Sequence, residues 1–261
     1  VPQNIFVNNK KIMLKGDSYL QIRNWTDYCA DTFAYILIDK WENDDAAGRP
    51  LASVMNLCPS FFNLSETAKK NILRHEFIHA MGFSKLGFER MPANVLGHRK
   101  LDNSILFKGP RTVEYIRRFY NCPTLNGVWL DQSNDHLSKR YFDELMTATY
   151  IEEIHMIPWS GLIVAILTDS GWYQPRVVPE DSNFGCRAGC EFATLNCKQW
   201  YDNLKDPLKN PFYCFGPSTD NCLVYDYGES APVRYFENPR IAGPSEVGFC
   251  GIKKNFWLHY K

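Results

Sequence analysis

The residues most suited to chemistry lie in one short segment, His75-Glu76-Phe77-Ile78-His79. Positions four apart lie on the same face of a helix, so His75 and His79 can bind one zinc ion together. Glu76 then stands beside the metal, where its carboxylate can take a proton from a water whose pKa the metal has lowered. The spacing predicts one catalytic Zn²⁺ with a general base, and these are the groups that metal-assisted hydrolysis requires.

A third zinc ligand must be found elsewhere, because a catalytic zinc usually has three protein ligands and an open fourth position. In the compact metzincin form of this motif the third ligand lies three residues beyond Gly82, where this chain has Lys85. A protonated lysine cannot bind a metal, so the ligand must come from further along the chain. The remaining histidines are His98, His136, His155 and His259.

His136 is the strongest of these four candidates because Glu144-Leu-Met146-Thr147 follows it. A buried methionine after the last ligand can form an apolar floor beneath the metal, although methionine is also a common core residue. His98 lies in a polar turn and His155 precedes an apolar segment, so solvated or structural roles are expected for both.

These motifs follow one another in a definite order along the chain. The zinc motif and Gly82 are followed by a long insertion, then by His136 and Met146, and finally by Thr168-Asp-Ser-Gly-Trp-Tyr173. This order resembles the leishmanolysin family of metzincin zinc proteases. The similarity extends back to residues 48–59 and forward to residues 185–192, and it covers roughly residues 25 to 225.

The resemblance implies a zinc-dependent endopeptidase, secreted or anchored in a membrane, that acts on protein or peptide substrates. The residues implied as functional are the zinc ligands His75, His79 and His136, the general base Glu76 and the Met-turn residue Met146. The chain departs from the family pattern around its third histidine. It has Asn134-Asp135 before this residue and Leu137-Ser138 after it, where the family tends to have Gly-Ser and Trp-Glu.

A helix must carry the zinc motif, and the residues around it predict one over 64–81. Asn63-Leu-Ser-Glu66 has the spacing of a capping box, and Gly82 is a natural C-terminal stop. Runs of β-branched and aromatic residues predict strands before this helix. The predicted strands are 32–38 and 51–57, and the further predicted helices are 111–120, 139–146 and 160–169.

Together these elements predict an α+β, metzincin-like fold in three parts. Residues 1–82 would form an N-terminal catalytic subdomain, with a twisted sheet against the active-site helix. Residues 83–178 would contain the insertion and a mainly helical lower subdomain that delivers His136 and the Met-turn, with substrate bound in the cleft between the two. Residues 179–261 hold six of the nine cysteines and predict a Cys-rich C-terminal region, expected to be incomplete.

The overall composition of the 261 residues excludes other classes. The 29 basic and 29 acidic residues cancel, which leaves no electrostatic footprint for nucleic acid. A hydrophobic content of 45% is too high for a disordered chain. The most apolar uncharged stretch, 155–168, is shorter than the roughly 20 residues of a membrane helix. No transmembrane segment is expected in this chain, and a membrane anchor would lie outside it.

The cysteines favour an oxidising compartment, because no Cys-x-x-Cys motif is present. Cys29 and Cys58 could form a disulfide. Cys186, Cys190 and Cys197 could bind a second zinc ion, but we expect them to form disulfides instead. The sequons at Asn24 and Asn63 agree with secretion, so an extracellular or cell-surface location is expected. No signal peptide is visible after Val1, so we expect either that a leader was removed or that the chain is part of a longer one.

Two other functions remain open from the sequence. A non-catalytic adhesion or binding module could keep the zinc fold for its structure alone, although such a site has no use for a general base at Glu76. A gluzincin-type metallopeptidase would use a carboxylate such as Glu89 or Glu114 as its third ligand. Chelator-sensitive proteolysis and the metal content of a His136 variant separate these functions.

Overall fold

A computed structural model gives the arrangement of much of the chain. The residues that it describes are 3–7, 10–14, 34–37, 48–50, 53–91, 94–98, 105–131, 136–138, 141, 144–147, 156–176, 179–180, 184–195, 197–205, 222–223 and 252–253. The strands are β1 (Gln3–Val7), β2 (Lys10–Leu14), β3 (Ala34–Leu37), β4 (Val54–Leu57), β5 (Leu96–His98), β6 (Ile105–Phe107), β7 (Val128–Trp129), β8 (Cys222–Leu223) and β9 (Ile252–Lys253). The α-helices are α1 (Glu66–Ala80), α2 (Lys85–Arg90), α3 (Pro110–Tyr120), α4 (Gly161–Asp169), α5 (Gly189–Thr194) and α6 (Cys197–Asp202).

The described strands pair in four small antiparallel sheets. β1 pairs with β2, β3 with β4, and β8 with β9, while β5, β6 and β7 form a three-stranded sheet in that order. In the second sheet Ala34 lies opposite Leu57, which confirms the two predicted strands over shorter ranges. Both β3 and β4 contact α1. Residues 83–178, which were predicted to be mainly helical, also contain the sheet β5–β7.

Helix α1 confirms the predicted helix, but its cap is Ser65 and not Asn63. The Ser65 side chain accepts a hydrogen bond from the backbone N–H of Ala68 at 3.2 Å. A serine at this position satisfies one of the amides that the first turn leaves unpaired. Asn63 cannot do so because it ends a 3₁₀ helix, Pro59–Asn63, that leads into α1.

Gly82 ends α1 as predicted and turns the chain sharply. Its φ of 99° lies in the region that glycine adopts without strain. A Cβ at this position would lie 2.7 Å from Cζ3 of Trp172, so the indole occupies the space that a side chain would need. The turn places Phe83 directly beneath the end of α1, where its N–H bonds to the C=O of Ile78 at 3.2 Å.

Helices α3 and α4 pack against each other, and both were predicted closely. Helix α3 begins after Gly109, which has no side chain to cap it. Asp169, at the end of α4, supplies the cap: its carboxylate accepts from the N–H groups of Arg111 and Thr112 and from the Thr112 hydroxyl, at 2.8–2.9 Å. A carboxylate on α4 therefore caps the start of α3 and links the two helices.

The predicted helix over 139–146 is wrong for the residues described there, 141 and 144–147. These residues form turns, and Thr147 forms a parallel bridge with Leu137. The N–H of Leu137 donates to the C=O of Met146 at 2.8 Å. This long-range pairing replaces the local hydrogen bonds of a helix, so tertiary contact overrides the local pattern.

One hydrophobic core joins α1, the three-stranded sheet, α3 and α4. Its large, fully buried side chains are Phe83, Phe88, Phe107, Ile78, Leu106, Ile116, Leu137, Met146, Ile163, Ile166 and Val95. No helix in the described part of the chain is long and apolar enough to cross a bilayer.

A disulfide joins Cys122, after α3, to Cys190 on α5, with a sequence separation of 68 residues. Cys190 is therefore a structural cysteine, as predicted, but the disulfide expected for Cys186 is wrong, because Cys186 is a free, exposed thiol. Cys58 is also disulfide-bonded. Its predicted partner, Cys29, lies outside the described residues, so that pairing stays a prediction.

Candidate metal centre

Three histidine rings converge where α1 meets the hairpin that follows β7. The Nε2 atom of His79 lies 3.1 Å from Nε2 of His75 and 3.3 Å from Nε2 of His136. One ligand atom from each ring lies within 4.8 Å of the others. The three histidines that were predicted from sequence as ligands are thus brought together, although 57 residues separate His79 from His136.

The outer nitrogens of the two helix histidines are held by backbone carbonyls. Nδ1 of His75 donates to the C=O of Leu145, and Nδ1 of His79 donates to the C=O of Phe83, both at 2.6 Å. A carbonyl only accepts, so Nδ1 must carry the hydrogen and Nε2 must present its lone pair to the centre. This tautomer is the one that binds a metal through Nε2.

The buried environment of the centre keeps the rings of His75 and His79 neutral. Burial lowers the pKa of His79 to about 4, and the charge of His136 adds to this effect. Burial, followed by the neighbouring His79 and His136, lowers the pKa of His75 well below 6.5. At neutral pH His75 and His79 therefore offer imidazole lone pairs and not imidazolium protons.

Such an arrangement fits a cation. Lone pairs that face one another at 3.1–3.3 Å repel unless a positive charge lies among them. Three imidazole rings that share one centre are a donor set typical of catalytic zinc. The residues present therefore fit the predicted Zn²⁺.

Glu76 lies on the buried side of α1, next to this centre. Together with Ala68 and Ile72 it forms a stripe with a spacing of four residues, and it is 7% exposed. Burial raises its pKa from 4.5 to about 7, while the charge of His136 opposes this rise. A carboxylate on an otherwise apolar stripe is unusual in a helix interior and points to a chemical role.

His136 is positioned by a hairpin. Leu130 and Leu137 form an antiparallel bridge, and the N–H of Asp131 donates to the C=O of His136 at 2.9 Å. The Asp131 carboxylate lies beside His136 across the hairpin. Its Oδ1 atom accepts a hydrogen bond from the backbone N–H of His136, and its Oδ2 atom lies 3.4 Å from Nδ1 of the His136 ring. The third ring therefore has a charged neighbour.

The predicted Met-turn is hydrogen-bonded through its backbone to both histidine-bearing segments, and Met146 is fully buried. The C=O of Leu145 holds His75, and the C=O of Met146 holds Leu137, the neighbour of His136. One turn thus links the two chain segments that carry histidines. This is a positional role for its backbone, and the side chain of Met146 contributes to the core beneath.

The turn is anchored on its other side by a buried carboxylate. Glu144 accepts a hydrogen bond from the hydroxyl of Ser160, which also caps α4 by accepting from the N–H of Ile163. Both Glu144 and Ser160 are buried. The position of the Met-turn is therefore coupled to the start of α4.

The other candidate ligands that the structure describes do not join the centre. Among the described side chains, the group that could hold a metal consists of the three histidines alone. His98 and Glu89 are exposed, and Glu114 forms an ion pair with Arg111 on the surface of α3. His155 and His259 lie outside the described residues.

The sequence did not reveal the groups that orient the rings. Two of them are backbone carbonyls, at Phe83 and Leu145, which no side-chain pattern can indicate. Asp131 could have been found, because an acidic residue five positions before a candidate ligand can face it across a tight hairpin.

Comparison with known proteins supplies the remaining evidence. A sequence model of the family described as leishmanolysin matches residues 38–252, which is most of the chain. The chain belongs to the leishmanolysin family. The resemblance drawn from the motif order is thereby confirmed, and the mixture of helices and small sheets is compatible with the predicted α+β class.

Individual leishmanolysin relatives are distant in sequence. A leishmanolysin-like peptidase of Caenorhabditis elegans is 27% identical over 60% of this chain and 31% of its own length. A leishmanolysin-like peptidase of Drosophila melanogaster is 25% identical over 66% of this chain and 32% of its own length. Leishmanolysin of Leishmania major is 27% identical over 78% of this chain and 37% of its own length. The chain thus spans about a third of the length of these leishmanolysin relatives.

Proposed function

We propose that this chain is the catalytic unit of a zinc-dependent endopeptidase that cleaves protein or peptide substrates. The observation that carries the proposal is the convergence of three imidazole rings, with one ligand atom from each within 4.8 Å of the others. The names of the relatives, leishmanolysin and leishmanolysin-like peptidase, agree with this activity. His75, His79 and His136 would hold the zinc ion.

The chemistry then divides between the metal and one carboxylate. A zinc ion held by the three histidines would supply Lewis-acid polarisation of the scissile carbonyl and would lower the pKa of a water molecule. Glu76 takes a proton from the attacking water and delivers it to the leaving amine nitrogen. A pKa of about 7 suits both tasks at neutral pH, because the group can accept and release a proton. Met146 supports the centre from below, as the Met-turn.

The buried Glu76 favours an enzyme over an adhesion module. Burial of a carboxylate destabilises the folded state, and a site that only holds the fold together gains nothing in return. A carboxylate third ligand is not favoured, because Glu89 and Glu114 lie on exposed helix surfaces. The disulfide between Cys122 and Cys190 supports an extracellular or cell-surface location.

The test is zinc-dependent proteolysis by the purified chain. We expect one equivalent of bound zinc by atomic absorption, together with cleavage of casein and of a quenched fluorogenic peptide. A chelator should abolish cleavage, and addition of zinc should restore it. The variants Glu89→Gln and Glu114→Gln serve as controls and should retain both zinc and activity. Stoichiometric zinc without any cleavage would favour the non-catalytic module instead.

A further inference from the structure

The three converging rings differ in what holds their outer nitrogen. His75 and His79 donate to carbonyls of the rigid backbone, at Leu145 and Phe83. Nδ1 of His136 is buried, and among the described residues it makes no aligned hydrogen bond. The atom that lies beside it, at 3.4 Å, is Oδ2 of Asp131. One of the three rings therefore depends on a carboxylate where the other two depend on main chain.

Asp131 is well placed to act on His136 because the two residues face each other across the hairpin. The side chain of Asp131 is 16% exposed and that of His136 is 23% exposed, so water screens their interaction only in part. The N–H of Asp131 donates to the C=O of His136, and Oδ1 accepts from the backbone N–H of His136 at 3.4 Å. These contacts fix the carboxylate on the Nδ1 side of the ring.

We propose that Asp131 is a positioning residue that orients the His136 ring and strengthens it as the third zinc ligand. This role rests on the proposed function of the centre. The Nδ1–H group of His136 donates to the carboxylate, which leaves the lone pair of Nε2 directed at the position shared with His75 and His79. Asp131 itself does not touch the metal or the substrate.

The negative charge matters as well as the geometry. A carboxylate that accepts from a metal-bound imidazole makes the ring more basic, and such partners typically contribute about 10- to 100-fold in metal affinity. The charge of Asp131 also acts on His79. His136 lies on a hairpin and not on a helix, so it benefits more than the other rings from a side chain that holds it.

A purely structural role for Asp131 is the alternative, since its backbone N–H closes the hairpin in any case. The variant Asp131→Asn distinguishes the two roles. Asparagine keeps the size of the side chain, the backbone contact and an oxygen that can accept hydrogen bonds, but it removes the charge. Asp131→Ala removes both the acceptor and the charge. Glu89→Gln, on the exposed face of α2, is a matched control for the loss of one negative charge.

The experiment measures the zinc dissociation constant of the full chain by competition with a chromogenic chelator, alongside thermal unfolding of the metal-free proteins. We expect Asp131→Asn to weaken zinc binding about 10-fold and Asp131→Ala about 100-fold, with Glu89→Gln unchanged. The melting temperature of metal-free Asp131→Asn should match that of the wild type, because a structural role would lower it.

The outcomes separate this role from the proposed function. Wild-type chain that binds no zinc refutes the proposed function and this role with it. Wild-type zinc binding together with equal affinity in Asp131→Asn refutes the role of Asp131 alone. Weaker zinc binding that is matched by a lower melting temperature of the metal-free Asp131→Asn protein assigns Asp131 a structural role and overturns the proposal.

Discussion

Replacing Glu76 by Gln should abolish catalysis and, in the absence of metal, should make the protein more stable. Gln has nearly the same shape as Glu and fits the same buried position on α1, but it cannot take up a proton at neutral pH. Loss of a general base costs about 10² to 10⁴-fold in kcat/KM. The gain in stability follows from the burial that raises the pKa of Glu76 to about 7.

The size of that gain can be worked out from the pKa. The folded protein holds the Glu76 proton more tightly than the unfolded chain, whose carboxyl group keeps the ordinary value of 4.5. Stability is therefore greatest below pH 4.5 and falls as the pH rises through about 7. A pKa difference of this size corresponds to about 3 kcal/mol above pH 7, at 1.36 kcal/mol for each pKa unit. The Gln variant carries no charge and escapes this loss.

The measurement is urea unfolding of chelator-treated wild type and Glu76→Gln between pH 5 and pH 8.5. The two free energies of unfolding should differ by about 1 kcal/mol at pH 5 and by about 3 kcal/mol at pH 8.5, with Gln the more stable. The two proteins differ at this one residue, so the difference reports on Glu76 together with its interaction with His136. The same preparations loaded with zinc should differ in peptide cleavage.

Two results would refute this reasoning. Cleavage at the wild-type rate by zinc-loaded Glu76→Gln would exclude Glu76 as the general base. A metal-free Gln variant that is no more stable than the wild type at pH 8.5 would show that the carboxylate is not held in the buried environment described here.

The remaining predictions concern the third ligand and two structural positions. His136→Ala should lose most of its zinc on dialysis, and a full equivalent by atomic absorption would contradict the ligand assignment. Asp169→Ala removes the cap of α3 and leaves the buried Thr112 hydroxyl without its acceptor. We expect a loss of about 2–4 kcal/mol in urea unfolding, and a loss below about 0.5 kcal/mol would contradict the capping role. Gly82→Ala should cost about 1–3 kcal/mol, measured in the same way, because of its φ and the nearby Trp172. A variant as stable as the wild type would show that neither matters.

The fold was predictable from sequence where the local signals were strong. Helix α1 combines a serine cap, a continuous helical segment and a terminal glycine, and its range was predicted to within two residues at the start. The cap itself was misplaced because Asn63 and Ser65 both suit the position, and only the 3₁₀ helix before α1 decides between them. Helix α4 was predicted closely because it likewise has a serine cap, Ser160, and a following glycine, Gly171, whereas α3 begins at Pro110, a residue favoured in the first turn of a helix.

The failures are instructive because they depend on distant contacts. The segment that contains Met146 has a helical pattern, yet its backbone pairs with Leu137 beside the metal centre. The candidate ligands could be chosen by residue type and order, since only histidines with suitable neighbours qualify. The carbonyls that orient the rings could not be predicted from sequence, because every residue has a carbonyl and only the fold determines which one faces a histidine.

The disulfide between Cys122 and Cys190 has a consequence for where this protein can be made. Its loop of 68 residues encloses both His136 and the Met-turn. In the entropic view, closing a loop of this length lowers the conformational entropy of the unfolded chain and so stabilises the folded protein by about 4 kcal/mol. In a cell compartment that keeps thiols reduced, this disulfide would not form, and the segment that carries His136 would lack its stabilisation. Redox conditions during biosynthesis would then govern metal loading, although neither sulfur touches the metal centre.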